Sequence, residues 1–232
     1  MTSFLCISDI HCLEDLIYLE ESDFLLVAGD FSNYGTSPEV FHFLSSLKKY
    51  EEGYFKHIII VAGNHELCME SNNKYFRNHI DKLGFIYLED TSVTIDGIKI
   101  HGSPWQEPYR SWAFNLEVDK RSKKWDLIDN DVDILITHSP PFGHLDKVGD
   151  SKPPLGCESL AKKVLEIKPK VHVFGHIHES AGMKETKDTI FINAGVKSSS
   201  RRGLTINMPI KFILNSDKKV VDVYRTNDID EE

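Results

Sequence analysis

Five short apolar runs in this chain of 232 residues each end in a side chain able to bind a metal ion, and the five stand in series. Phe4-Leu5-Cys6-Ile7 leads into Asp9 and His11, and Phe24-Leu25-Leu26-Val27-Ala28 leads into Gly29-Asp30. Ile58-Ile59-Ile60-Val61-Ala62 leads into Gly63-Asn64-His65-Glu66. Ile134-Leu135-Ile136 leads into His138, and Val171-His172-Val173-Phe174 leads into Gly175-His176-Ile177-His178. Short apolar runs alternating with amphipathic stretches predict an α/β architecture. Ligands of open α/β sheets bind beyond the carboxyl ends of the strands, and every one of these motifs lies at that end of its run. Gly29, Gly63 and Gly175 permit tight turns that bring a side chain over the sheet edge.

The ligand set is Asp, His, Asp, Asn, His, His, His. Mixed carboxylate, amide and imidazole donors suit borderline divalent ions such as Mn²⁺, Fe²⁺ or Zn²⁺, and the absence of a thiolate set disfavours a structural zinc site. Seven ligands exceed what one tetrahedral ion takes. They suit two ions roughly 3.5–4 Å apart that share a bridging carboxylate.

The order of motifs resembles that of the calcineurin-like metallophosphoesterases: D-x-H at Asp9 and His11, G-D at Gly29 and Asp30, G-N-H-E from Gly63 to Glu66, T-H at Thr137 and His138, and G-H-x-H from Gly175 to His178. The segments His101-Gly102-Ser103-Pro104-Trp105 and Thr137-His138-Ser139-Pro140-Pro141 look like the metallophosphoesterase-domain-containing branch, near the class III cyclic-nucleotide phosphodiesterases. The resemblance implies a four-layer αββα sandwich. It implies that Asp9, His11 and His178 hold a first metal, that Asn64, His138 and His176 hold a second, and that Asp30 bridges both. His65 would stand beside the leaving-group oxygen without binding metal. Cys12 departs from the family's usual small or polar residue at that position.

The implied cofactors are two divalent ions drawn from Mn, Fe, Zn and Ni. The implied reaction is hydrolysis of a small phosphomono- or phosphodiester, cyclic nucleotides included, by a metal-bridging hydroxide, with His65, Asp30 and Asn64 as the catalytic set. Bridging two cations lowers the pKa of water from ~15.7 towards ~7, and an acid at the leaving oxygen adds ~10²- to 10⁴-fold. The alternatives are a protein Ser/Thr phosphatase on the same scaffold and a weakly catalytic metal-binding scaffold.

The formal net charge of −9 argues against general nucleic-acid binding but not against a small phosphate ester, because bound cations would reverse the local field. No apolar run reaches the roughly 20 residues of a membrane span. The opening residues lack the basic and small-residue features of a signal peptide. With four scattered cysteines expected to be reduced, these features predict a cytoplasmic protein, with oligomeric state open.

The chain reads as one domain over residues 1–226 with an acidic tail over 227–232. Helices are expected over Leu13–Glu20, over Pro38 to about Tyr50 with Ser37 as N-cap, over Asn73–Leu83 ending at Gly84, over Asp119–Ile128 and over Ser159–Ile167. Phe85–Leu88 and Ile190–Ile192 read as strands. Asp96-Gly97 predicts a two-residue hairpin, and a second hairpin turns around Asn215-Ser216-Asp217.

His144 and Trp105 are candidate substrate contacts beside His65. Trp105, Tyr109, Trp112 and Phe114 either form a lip over the site or cover the sheet edge. Glu66 is expected to support its loop and Asn193 to fix a turn near the site. Cys12 reads as a packed bystander, Arg201-Arg202 as solvated surface, and His42, His57, His79 and His172 as histidines without chemistry.

Overall fold

Strand alternation divides the apolar runs between separate cores. In the first run Phe4 and Cys6 enter one core and Leu5 and Ile7 another; in the second, Phe24 and Leu26 part from Leu25 and Val27 in the same way. Strands buried on both faces read as continuous apolar stretches, which is why these runs lack polar alternation. The computed structural model describes residues 1–50, 53–149, 151–200 and 203–226.

The elements begin with β1 (Thr2–Ile7), β2 (Phe24–Ala28), α1 (Ser37–Lys48), β3 (His57–Val61), α2 (Leu67–Ser71), α3 (Asn73–Lys82) and β4 (Ile86–Tyr87). They continue with β5 (Thr91–Ile95), β6 (Ile98–Ser103), α4 (Val118–Trp125), β7 (Ile134–Thr137), α5 (Glu158–Ile167), β8 (Val171–Phe174), β9 (Gly182–Glu185) and β10 (Ile190–Asn193). β11 (Lys197–Ser200), β12 (Gly203–Ile206), β13 (Ile210–Leu214) and β14 (Val220–Arg225) complete the described chain.

Two mixed six-stranded sheets run in the orders β14-β13-β1-β2-β3-β4 and β5-β6-β7-β8-β10-β9, with β11-β12 as a separate hairpin. The sheets pack face to face through Phe4, Leu26 and Val61 on one side and Ile100, Ile136 and Val173 on the other. The first sheet turns its outer face to a core that includes Phe43 and Leu44 of α1 and Phe76 and Ile80 of α3. The second turns Leu135, Phe174 and Phe191 towards Trp125 of α4 and Leu160 and Val164 of α5. The result is the expected four-layer αββα sandwich. β1, β2 and β3 are mutually parallel, as are β6, β7 and β8, so the motif-bearing ends gather within each sheet.

Several local expectations are corrected. Leu13–Glu20 contains only a short 3-10 turn, Glu14–Leu16. Beyond it Ile17 and Leu19 are buried while Tyr18 is 59% exposed, and this period of two requires extended chain rather than helix. The N-cap of α1 is Thr36, one residue earlier than expected; its hydroxyl accepts from Glu39 N, and the Glu39 side chain returns to the Thr36 N–H as a capping box. The short α2 and the strands β9, β11 and β12 were not anticipated. Asp96 and Gly97 have φ of 51° and 75° and make the expected β5–β6 hairpin turn. Residues 227–232 and Arg201-Arg202 lie outside the described residues.

At the amino-terminal end of β7, away from the motifs, Asp133 ties the sheets together. Its carboxylate accepts from Lys170 Nζ, from Lys218 Nζ in the β13–β14 turn at 2.7 Å, and from Lys99 N at 3.0 Å. Burial pushes this carboxyl up, but the hydrogen bonds from Lys170 and Lys218 outweigh it and hold it below the usual range. A lowered carboxylate contributes stability above its ordinary pKa, and that stability is lost as pH falls through the folded value. Asp133→Asn is therefore expected to cost about 1.5–3 kcal/mol at neutral pH. In urea unfolding, the gap to wild type should close as pH drops below about 4. A gap independent of pH would contradict this account.

Candidate metal centre

Each motif projects its side chains from a turn that the sequence makes unusually tight. Asp9, His11, Cys12, Asp30 and His176 have positive φ, between 48° and 69°. Non-glycine residues there cost of order 1–3 kcal/mol each and persist where the surroundings over-determine them. The glycines supply the closest approaches. A Cβ on Gly63 would stand 2.4 Å from Asp30 Oδ1, and one on Gly175 would stand 2.1 Å from Asp9 Oδ2.

The turns converge. Ligand atoms of Asp9, His11 and His178 lie within 4.8 Å of one another, and so do those of Asp30, His138 and His176. A third group of His11, Asp30 and His65 links the two, so Asp30 lies between them. His11 Nε2 is 3.2 Å from His178 Nε2, which is itself 3.2 Å from Asp9 Oδ1. His138 Nε2 is 2.9 Å from Asn64 Oδ1 and 3.2 Å from Asp30 Oδ2, while its Nδ1 donates to the Ala28 carbonyl at 2.9 Å. The Ala28 bond keeps the proton on Nδ1, so Nε2 is the nitrogen that would be freed to face the cluster when His138 loses a proton. His65 Nε2 stands farther out, 3.9 Å from Asp30 Oδ2, and its Nδ1 is committed to the Asn33 carbonyl.

The electrostatics fit cations. Burial brings the His11 and His176 pKa values down to about 4, leaving both imidazoles neutral, the form that ligates metal. Burial alone would raise Asp9, but His178 and His138 outweigh it and hold the carboxyl at about 2. Asp30 is likewise held well below the carboxylate range, against burial, chiefly by His138. Burial would lower His138, yet Asp30 and Asp9 push it up to about 9, so the local field favours positive charge at this point. Converging nitrogen and carboxylate donors, turns without room for a Cβ and this field match a borderline divalent ion.

Glu66 underlies the arrangement. Its buried carboxylate accepts from Gly63 N at 2.7 Å, Asp30 N at 2.9 Å, Ser32 N at 3.0 Å and Ser32 Oγ at 2.8 Å. This supporting part agrees with the expectation for the residue. Asn193 donates from Nδ2 to Ile177 O at 2.9 Å and accepts from Gly195 N at 3.2 Å, fixing the turn that carries His178.

Other candidates are not brought to the centre. His144 stacks on Phe191 of the outer core, with ring centroids 3.9 Å apart. Trp105 donates Nε1 to the Asp90 carboxylate and lies beneath Lys124 Nζ. Trp112 is the aromatic residue that reaches the site: it stacks on His65 at 4.1 Å. Cys12 is a half-buried thiol raised by burial, with Glu39 its neighbour at 3.8 Å, which agrees with a packed bystander. His172 is buried, with Nε2 2.9 Å from Thr137 Oγ1. Sequence reading missed Ser32 and the Asn33 carbonyl, because backbone acceptors and a lone serine carry no pattern.

A double-sheet sandwich with Asp, Asn and His at its strand ends defines a class, and the comparisons agree with it. The family model for calcineurin-like phosphoesterase matches residues 2–180. Metallophosphoesterase domain-containing protein 1 of Homo sapiens is 37% identical over 222 residues, covering 84% of this chain and 66% of that protein. The UPF0046 protein K07C11.7 of Caenorhabditis elegans is 37% identical over 202 residues, covering 82% of this chain and 68% of the relative. The chain belongs to the calcineurin-like phosphoesterase family. It spans just under two thirds of the length of the human protein, at 66%. Among solved structures, the protein TT1561 of Thermus thermophilus superposes with a TM-score of 0.64 at 14% identity, covering 97% of this chain and 98% of that one, a likeness of fold alone. Among the described residues no helix is long and apolar enough to cross a membrane.

Glu66→Ala would orphan three buried backbone amides beneath Asp30. It is expected to lower stability by at least the ~1–3 kcal/mol of one such group, and to weaken metal binding because the Asp30 and Asn64 turns lose their common acceptor. Urea unfolding and metal titration would check both, and unchanged metal affinity would contradict the supporting part assigned to Glu66.

Proposed function

We propose that this chain hydrolyses small phosphomono- or phosphodiesters, cyclic nucleotides among them, at a two-metal centre. Asp9, His11 and His178 hold one ion, Asn64, His138 and His176 hold the other, and Asp30 belongs to both. The observation that carries this reading is the position of the Asp30 carboxylate between two clusters of ligand atoms. When bound, two divalent ions supply an activated water near neutral pH and neutralise the phosphate oxygens. Mn, Fe, Zn and Ni all suit the donor set.

The chain's own groups do the rest. The neutral His11 and His176 and the ionised Asp9 and Asp30 are already in ligating form, whereas His138, pushed up to about 9 by Asp30 and Asp9, would give up a proton on loading. Asn64 adds an uncharged oxygen, which limits the negative charge facing a phosphate. His65 directs Nε2 inward while Nδ1 holds the Asn33 carbonyl, so a proton on Nε2 can pass to the leaving oxygen. The four free cysteines support a reducing compartment, in keeping with action in the cytoplasm.

The first assay is turnover of bis-p-nitrophenyl phosphate with added Mn²⁺, Fe²⁺, Ni²⁺ or Zn²⁺. Turnover with at least one is expected, and none with any would leave only the scaffold reading. Phosphopeptide turnover exceeding that of every small ester would favour the protein phosphatase instead. Asp30→Ala is expected to lose metal and activity together. His65→Ala should retain metal and turn over an alkyl phosphodiester ~10²- to 10⁴-fold more slowly; loss of metal from His65→Ala would instead make that residue a ligand.

A further inference from the structure

His65 is held by contacts from three directions. Its backbone N–H donates to Asp30 Oδ1 at 2.8 Å, and its ring Nδ1 bonds the Asn33 carbonyl. A ring tethered at one atom can still swing about that contact. Two aromatic neighbours restrict it. His11 meets the ring edge-on, with centroids 4.6 Å apart and planes at 89°. Trp112 stacks on the ring at 4.1 Å, with the planes 30° apart.

Trp112 is carried on a braced loop. Gln106 N donates to Phe114 O and Leu116 N to Gln106 O, each at 3.0 Å, which closes residues 106–116. Inside it, Asn115 Oδ1 accepts from Tyr109 N and Gln106 Nε2, and Asn115 Nδ2 donates to Arg110 O, all at 3.0 Å. The closed loop is then pinned to the turn that carries His65. Ala113 N donates to Asn64 O at 2.9 Å and Phe114 N to Glu70 Oε1 at 2.8 Å, and both residues are buried. Trp112 immediately precedes these two anchors. These anchors fix the backbone next to Trp112, whose indole meets the His65 ring.

We propose that Trp112 is a positioning residue: it locks the His65 ring with Nε2 towards Asp30, and through His65 the 106–116 loop sets which leaving groups depart quickly. This rests on the reading that His65 serves the leaving oxygen. An alkoxide needs a proton more than a phenoxide does, so the loop favours esters whose leaving group is an ordinary alcohol, such as a sugar hydroxyl. A misplacement of about 1 Å can cost on the order of 100-fold, so a loosened ring is kinetically visible.

The test compares Trp112→Ala and Trp112→Phe in the full chain loaded with Mn²⁺, alone and combined with His65→Ala. Metal content is expected to stay at the wild-type level in every variant. Trp112→Ala should slow an alkyl phosphodiester ~10- to 100-fold and bis-p-nitrophenyl phosphate less, and Trp112→Phe should restore most of the loss. In the His65→Ala background Trp112→Ala should add nothing, since two residues acting through one group are not additive. In the metal-free protein, the His65 ring protons should show an upfield ring-current shift in NMR that Trp112→Ala abolishes. An equal loss with and without His65, or a fall in metal content, overturns the proposal. A His65 signal unmoved by Trp112→Ala overturns the positioning itself. Undiminished turnover of the alkyl phosphodiester by His65→Ala sinks the reading of His65, and with it the leaving-group part, while the ring-current result still decides whether Trp112 holds the ring.

Discussion

Buried carboxylates gathered at one sheet edge must be compensated, and this requirement organises the whole upper end of the sandwich. Asp9, Asp30 and Glu66 are all buried there, and burial together with the neighbouring Asp30 pushes the Glu66 carboxyl up to about 7 in spite of its hydrogen bonds. An ionised carboxylate in such a place is costly unless paired and hydrogen-bonded. Glu66 is met by three backbone amides and a hydroxyl, Asp30 by His65 N and His138, and Asp9 by His176 N and His178. Apart from Gly63 N, every partner lies on another turn than the carboxylate it meets, so charge compensation itself draws the strand ends together. The backbone strain at Asp9, His11, Asp30 and His176 persists because these contacts over-determine it.

The same requirement explains why the sheets are so apolar and the turns so polar. A strand buried on both faces offers no place for a functional side chain, so chemistry moves to the first residues beyond it. Asp9 follows β1, Asp30 follows β2, Asn64 follows β3, His138 follows β7, and His176 and His178 follow β8. At the other end Asp133 links the sheets through lysines, an ion-paired counterpart to the ligand cluster.

Much of this was legible in the sequence because each ligand turn is local: an apolar run, a glycine and a ligand. The sandwich and the grouping of candidate ligands both follow from that repetition. The aromatic contact to the site was not local. Trp105 and Trp112 share one loop and differ little in type, yet Trp105 is drawn to Asp90 and only Trp112 meets His65. That choice depends on the Ala113–Asn64 hydrogen bond between distant segments. The helix expected over Leu13–Glu20 failed for a related reason. Leu13 and Leu16 suggest a helical spacing, but Ile17 and Leu19 are buried at a spacing of two against the first sheet's helix layer.

The central proposal is that Asp30 would be shared by two neighbouring ions. Electron paramagnetic resonance of the Mn²⁺-loaded chain tests it most directly, because two manganese ions roughly 3.5–4 Å apart and bridged by a carboxylate are magnetically coupled. The account predicts the hyperfine pattern of a coupled pair, replaced in Asp30→Ala by the signal of isolated ions or none. A spectrum of isolated Mn²⁺ from the fully loaded wild-type protein would contradict it.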